Sequence, residues 1–544
     1  MRILRIVQRL GLKVARLWEI WHLFRLSNKV AARSRPRSDM SPVVFFNAST
    51  RLGGMSLNAA FSFISAWGAQ LSGVPVIHFA CQSGMSRCVL GTDPDDPSAE
   101  PPCRRCIAQS NRLLASAPTR WFTYAPNIEL LAALQDLGLE QLKNFEFSFP
   151  LGESKLAIPL GSLVLPSLRW ALRKHNLPDD EPTRALFREY ILSAYRVAQE
   201  FNSFIDEIEP RVIVIFNGLQ YPEATARWIA QKRDLRVVTH EVGFQPFSAF
   251  FTDGEATAYP IDIPKDFDLT REQNKNLDQH LSRRFQGEFT MAGIRFWPEM
   301  RGLEEGLLQQ AARFQQIVPV FTNVVFDTSQ VHANVIFPDM FVWLDLVLKI
   351  IRAHSETFFV IRAHPDEKRP GSSKQSREPV SDWIERKQVA KLPNVVFVDS
   401  LEYISSYELI QRAKFVMVYN SSIGLEATLL GSPVLCGGKA RYTQYPTVFF
   451  PDTQEGFRKK AEEFMAAEQL EVPEEHKRNA RRFLYYQFFK VSLPFDNFIK
   501  IHSTPGYVQL KRFRWSQLLS EHSPTIRVIV NGILEGEPFL LKES

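Results

Sequence analysis

The sequence predicts an α/β chain of two doubly wound, Rossmann-like domains facing each other across a cleft. Three observations predict it. Apolar runs that read as buried strands alternate with helical patterns over 43–242. A second such series runs over 317–436. The length, 544 residues, is too great for one ordinary core.

The first element is a basic segment, 1–40, which holds ten Lys and Arg against only Glu19 and Asp39. Within it Ile3, Leu4, Val7, Leu10, Val14, Leu17, Trp18, Trp21 and Phe24 recur at helical spacing between the basic residues. That pattern suits a helix on an anionic membrane surface, and equally a helix covering another part of the same protein. No run reaches the roughly 18 uncharged apolar residues of a membrane span. No uninterrupted apolar stretch precedes a small-residue cleavage site, as a signal peptide requires. The expectation is a cytoplasmic protein, peripheral on the inner face of the plasma membrane if the basic segment touches lipid.

A first domain is expected over 41–290. A strand at 43–47 leads into the loop 48–54 and a helix from about Ser56, and 74–80 is the next strand. A mostly helical stretch, 163–204, breaks at 178–182, where Pro178 and Pro182 stand. A strand at 211–218, a helix at 221–232 and a strand at 235–242 complete the unit. A second domain is expected over 291–470: strands at 317–324, 357–362, 394–398, 415–419 and 433–436, with helices at 340–354, 406–413 and 422–430. The polar insert 366–377 reads as a mobile loop. Residues 471–544 read as helices, including 474–490, and a tail.

Composition narrows the class. An apolar share of 45% and a charged share of 23% are those of a soluble globular protein. The net charge of +6 is modest, its basic residues gather at one end, and the usual RNA-binding pattern of interleaved aromatic and basic residues is missing, so nucleic acid is not an expected partner.

The chemistry concentrates between 358 and 442. Val360-Ile361-Arg362-Ala363-His364-Pro365 and Val418-Tyr419-Asn420-Ser421-Ser422-Ile423-Gly424-Leu425-Glu426-Ala427 each end an apolar strand. Polar residues beyond the carboxyl ends of parallel strands are where open α/β sheets bind ligands. Ser422 stands at a helix start, where unpaired N–H groups favour an anion, and Ser421 and Ser422 add hydroxyl donors. Gly424 permits close approach of a ligand to the first turn. Glu426, one turn deeper, suits a ribose diol. Arg362 and His364 suit a phosphate, Arg by its bidentate fork and His by its proton.

These residues carry a resemblance. His364-Pro365 and Ser421-Ser422 resemble the paired HP and SS motifs of bacterial capsule-polysaccharide and sialic acid glycosyltransferases. Gly424-Leu425-Glu426-Ala427-Thr428-Leu429-Leu430-Gly431-Ser432-Pro433-Val434 and Gly437-Gly438-Lys439-Ala440-Arg441-Tyr442 look like the donor-domain segments of the same group. The similarity covers about 315–450, the second half of a GT-B enzyme. It implies that His364, Ser421 and Ser422 bind the phosphate of a nucleotide-sugar donor, and Glu426 its ribose. A CMP-linked donor is the one implied, with UDP- and GDP-linked donors left open. The acceptor implied is a surface-polysaccharide glycan or a lipid-linked glycan. Between 358 and 442 no two glutamates stand in the E-x7-E arrangement of many retaining GT-B enzymes, which leans toward inversion. A CDP-polyol phosphotransferase and a non-catalytic GT-B scaffold that binds glycan or a partner enzyme are the alternatives. Ser405 with Glu408 echoes the family too, but is itself a capping box and reads as structural.

Sugar transfer needs a base for the acceptor hydroxyl. Glu241, then His240, are the candidates, near a strand end of the first domain, with Asp253 and Asp327 behind them. Gly53 and Gly54 form a candidate acceptor or phosphate loop. Finally, Cys81, Cys88, Cys103 and Cys106 make a C-x6-C-x14-C-x2-C array whose Cys103–Cys106 pair is a common half-site for structural zinc, with free thiols and an iron–sulfur cluster or redox pair as the other readings.

Overall fold

In this computed structural model the described residues are 20–49, 54–286, 290–291, 294–295, 301–368, 375–504 and 506–542. Gly53 and the first half of the basic segment lie outside them. The chain divides into two compact units. One comprises the described residues of 1–171, 178–257 and 489–544, the other those of 172–177 and 258–488. The chain therefore crosses between the units at 171/172, 177/178, 257/258 and 488/489, where the sequence expectation has boundaries at 290/291 and 470/471, and the last fifty-odd residues return to the first unit.

Among its described residues the first unit holds a seven-stranded sheet. Its central parallel strands lie in the spatial order Arg236–Val242, Val212–Phe216, Val43–Asn47, Val76–Cys81 and Thr119–Phe122. Ser248–Thr252 and Leu493–Pro494 extend one edge antiparallel. The strand VVFFN at 43–47 is apolar on both faces, as a strand covered by helices on each side must be. The helix Leu57–Leu71 starts where Ser56 accepts from the Ala59 N–H at 3.1 Å. It lies against the C-terminal helix Pro524–Glu535 so closely that a Cβ at Gly68 would stand 2.5 Å from Ile526. The long helix Glu181–Ile208 begins at Asp180, which accepts from the Thr183 N–H at 2.9 Å, and ends at Glu209 in the left-handed conformation.

The second unit holds a five-stranded, wholly parallel sheet in the order Val395–Val398, Thr357–Arg362, Gln316–Phe321, Val416–Val418, Val434–Cys436. All six residues of Thr357–Arg362 are buried. Met340–Ala353 covers the sheet with Met340, Trp343, Leu344, Val347 and Ile351, an i, i+3, i+4, i+7 stripe. Both sheets are thus doubly wound and mainly parallel. Each reverses its strand order at one point: between Val43–Asn47 and Val212–Phe216 in the first unit, and between Gln316–Phe321 and Val416–Val418 in the second.

Candidate functional site

The reversal in the second unit is where two strands end side by side and their following loops turn away from each other, leaving a crevice. Asn323 follows one strand and Asn420 the other. The Asn323 amide donates to Oδ1 of Asn420 at 2.7 Å, and Gln330 donates to the same oxygen at 3.3 Å. Ser421 and Ser422 come next. The Ser421 carbonyl accepts the Tyr442 hydroxyl at 2.8 Å, which pins the loop from below. Ser422 occupies the N-cap position of Ile423–Leu429 but has helical backbone angles, and its side chain makes no capping bond. Its hydroxyl is not spent on the helix.

Gly424 is required by packing. A Cβ there would lie 2.5 Å from the Tyr442 hydroxyl and 3.1 Å from Val418. Glu426 is buried, and both its oxygens are engaged: Arg284 donates through Nε to Oε1 at 2.6 Å and the Tyr407 hydroxyl donates to Oε2 at 2.6 Å. Arg362 is also buried, and it reaches along the sheet edge, donating to the Ser406 hydroxyl at 2.9 Å and the Glu402 carbonyl at 3.1 Å. Burial lowers its pKa to about 10, which still leaves it charged at neutral pH. Its placement is that of a residue tying strand to loop. His364 caps the short turn Pro365–Glu367, its Nδ1 accepting from the Asp366 N–H at 3.2 Å, which puts the ring proton on Nε2. Ser405 accepts from the Glu408 N–H at 3.3 Å, a cap as expected.

In the first unit the crevice at the strand reversal gathers carboxylates and amides. Glu241 accepts from Asn217 at 2.7 Å through Oε2, and through Oε1 from Asn58 at 3.1 Å and its own neighbour's N–H, that of Val242, at 2.8 Å. Asn217 adopts a left-handed backbone, φ 63°, that turns its amide toward this carboxylate. His240 alternates to the other face of its strand. It is 1% exposed, packs between Phe216 and Phe251, and burial lowers its pKa to about 3, so it is neutral and set in the core. It does not reach the crevice. Asp253 is held by Arg236 at 2.8 Å, and Asp327 accepts from the Ser329 hydroxyl at 2.6 Å.

A carboxylate that sequence reasoning missed stands here. Glu223, in the first turn of Tyr221–Lys232, is 1% exposed and accepts from the Ser49 hydroxyl at 2.6 Å. Burial raises its pKa to about 7, the range of a group that exchanges protons at neutral pH. In sequence it looks like an ordinary helix-start acid. Gly54 lies under the Tyr507 ring, where a Cβ would be 2.8 Å from Cγ, and its N–H donates to Gln109 at 3.1 Å.

Ser49 also borders a cavity lined by Cys81, Cys88, Cys103 and Cys106. The fold thus brings the four sulfurs to one place, with the Gly84 N–H donating to Cys81 at 3.1 Å. Yet among the described residues no group of three or more Cys, His, Asp or Glu is arranged to hold a metal ion. No disulfide joins them, and burial pushes Cys81 and Cys88 up to about 12, which keeps those two protonated. A zinc set needs thiolates converging on one point; the residues as placed do not form one.

Among the described residues no helix is long and apolar enough to cross a membrane. No curated protein matches the chain. Solved structures to which it is similar include two Thermosulfurimonas dismutans KpsC proteins. The beta Kdo 2,4 transferase is 12% identical, over 55% of this chain and 84% of that one, with TM-score 0.31. The beta Kdo 2,7 transferase is 14% identical, over 57% and 85%, with TM-score 0.27. A Methanocaldococcus jannaschii UDP-GlcNAc 2-epimerase is 11% identical, over 54% and 79%, with TM-score 0.26. Likenesses of this size carry no argument about the site. Residues 298–447, which contain every strand of the second unit's five-stranded sheet together with His364, Ser421 and Ser422, match the family model of the capsule polysaccharide biosynthesis protein.

Proposed function

We propose that the chain is a GT-B glycosyltransferase of capsule polysaccharide synthesis, which holds a nucleotide-activated sugar at the strand ends of its second unit. One observation carries the reading. Within the family-matched segment, the loop Asn420-Ser421-Ser422 leaves its strand at the reversal of strand order, anchored by Asn323 and Tyr442, with the Ser422 hydroxyl not used as a cap. A fixed loop with an uncommitted donor suits a phosphate better than it suits fold stability alone.

In this reading Ser421, Ser422 and the Nε2 proton of His364 take the phosphate of the donor. As the glycosidic bond to that phosphate breaks, the charge left on it meets donors already in place, with no reorganisation. Arg362 acts behind them by fixing the loops at Glu402 and Ser406. Glu426 positions Tyr407 and Arg284. The acceptor hydroxyl gives its proton to a carboxylate of the first unit, Glu241 or Glu223. Glu241 is anchored by two amides, and Glu223 has the better matched pKa, about 7. CMP-, UDP- and GDP-linked sugars are the donors to try, with a surface-polysaccharide or lipid-linked glycan as acceptor.

The test is a melting screen against CMP, CDP, UMP, UDP and GDP, followed by sugar-transfer assays with donors of the base that binds. A nucleotide at 100 times its Kd should stabilise the protein by about 2.7 kcal/mol. A shift that disappears in Ser422→Ala and His364→Ala supports the site. No shift with any nucleotide at millimolar concentration removes the reading.

A further inference from the structure

We propose that the first unit carries a face that docks on an anionic lipid bilayer, assembled from two segments almost five hundred residues apart in sequence. The first is the helix over 20–33 and the residues after it. Leu23, Leu26, Ser27 and Val30 form its inner stripe, at i, i+3, i+4 and i+7, and Leu26 and Val30 are buried in the unit's core. The outer stripe has the same spacing: Trp21, Phe24, Arg25 and Asn28 are all exposed. Trp21 and Phe24, at 52% and 53% exposure, are two large aromatic side chains presented to solvent one turn apart, with the Arg25 guanidinium 5.1 Å from the Trp21 ring centroid.

The second segment is 497–520. It packs into the same core, through Phe498, Ile499, Val508 and Leu518, and lies directly against the helix. Nε2 of His22 donates to the Lys511 carbonyl at 3.2 Å, and Arg33 stacks 4.6 Å over the Trp515 ring. Neither segment contains an acidic residue. Between 20 and 38 there are five basic residues, Arg25, Lys29, Arg33, Arg35 and Arg37, and no Asp or Glu. Between 497 and 520 there are four, Lys500, Lys511, Arg512 and Arg514, and again no Asp or Glu. The two stretches, bounded by Glu19, Asp39, Asp496 and Glu521, bring nine basic residues together with no acid inside either, a charge concentration built by the fold.

The occupant follows from the two components together. The positive charge is complementary to acidic lipid headgroups, each Lys or Arg near such a surface contributing about 1 kcal/mol. A soluble acidic glycan or nucleic acid would use that charge too, but gives no reason for Trp and Phe to stand outward on the same helix face beside Arg25. Indole and phenyl rings flanked by Arg are the side chains that settle at the headgroup–acyl boundary.

The experiment is vesicle flotation of the full chain with phosphatidylcholine alone and with about 30% phosphatidylglycerol added. The expected result is binding to the anionic vesicles only, weakened by salt. Arg512→Gln with Arg514→Gln should lower vesicle affinity on the order of tenfold, although these residues lie far in sequence from the basic N-terminal segment. Trp21→Ser with Phe24→Ser should lower it comparably while the salt dependence stays. All four positions are exposed, so melting curves should match wild type. Equal binding to both vesicle types, or unchanged affinity in the Arg512/Arg514 variant, overturns the proposal. So does an absence of vesicle binding alongside capture of a soluble acidic polysaccharide, which would assign the face to glycan.

Discussion

Arg284 donates through Nε to Oε1 of Glu426 at 2.6 Å, with side-chain exposures of 9% and 4%. Tyr407 completes the carboxylate from the other side. A charge pair this far from water is held by geometry, and breaking it by removing one member leaves the other uncompensated. Arg284→Ala should therefore cost about 3–5 kcal/mol, read from denaturant midpoints. A loss under about 1 kcal/mol would mean that water reaches the pair. Glu426→Gln should cost stability as well, and discrimination between CMP and its 2′-deoxy analogue should change little, since both carboxylate oxygens are already engaged.

Two serines separate capping from binding. Ser405 caps its helix through the Glu408 N–H, whereas Ser422 makes no capping bond. Ser405→Ala should cost about 1 kcal/mol of stability and leave nucleotide affinity intact. Ser422→Ala should leave the melting temperature of the free protein unchanged and weaken nucleotide binding about tenfold, ~1.4 kcal/mol. The opposite pattern in the two variants would exchange their roles.

The strands of both sheets were legible because parallel strands buried on two faces are written as continuous apolar runs, Val43-Val44-Phe45-Phe46 and Phe358-Phe359-Val360-Ile361 among them. The helix Tyr221–Lys232 and the strand Thr357–Arg362 fall where their patterns put them. In the first unit the edge strands and the hairpin were not legible. Thr119–Phe122 and the hairpin Phe147–Leu151 with Ser154–Ile158 are short and only half apolar, and the return of 489–544 to the first unit depends on contacts no local pattern encodes. At the site, residue types were readable but side-chain direction was not. One step along a strand separates Glu241 in the crevice from His240 in the core. Asn323 was missed because its meeting with Asn420 depends on strand order, which the sequence does not display.

Glu223 and Glu367 make stability depend on pH in a stated direction. Burial raises their pKa values to about 7 and about 8 in the folded protein, against 4.5 for an ordinary Glu. The folded state thus holds protons that the unfolded state releases. Their contribution is fully present below about pH 4.5, falls as pH rises toward 7 and 8, and is lost above those values. His78 and His240, both lowered to about 3, work the other way, full above about pH 6.5 and lost as pH falls toward 3. Between pH 6.5 and 8 only the carboxyl effect operates among these four. Glu223→Gln and Glu367→Gln should each flatten the decline of the denaturant midpoint over that window. If Glu223 is the acceptor's base, the transfer rate should also rise with pH through about 7 in the wild type, and Glu223→Gln should lose that limb. An unchanged limb in Glu223→Gln would leave Glu241 as the base.

The four-thiol cavity gives a chemical prediction independent of sugar transfer. Thiolate is the reactive form, and burial pushes Cys81 and Cys88 up to about 12. At pH 8 only about one part in ten thousand of each would be thiolate, so alkylation of the native protein should be slow there and quicken about tenfold per pH unit. Peptide mapping after brief alkylation at rising pH would follow Cys81 and Cys88 directly. Denaturation should expose all five cysteines at once, without release of bound metal. Native resistance of all four clustered thiols, relieved only by a chelator and accompanied by about one zinc per chain, would show instead that an ion draws them together into a tetrahedral set.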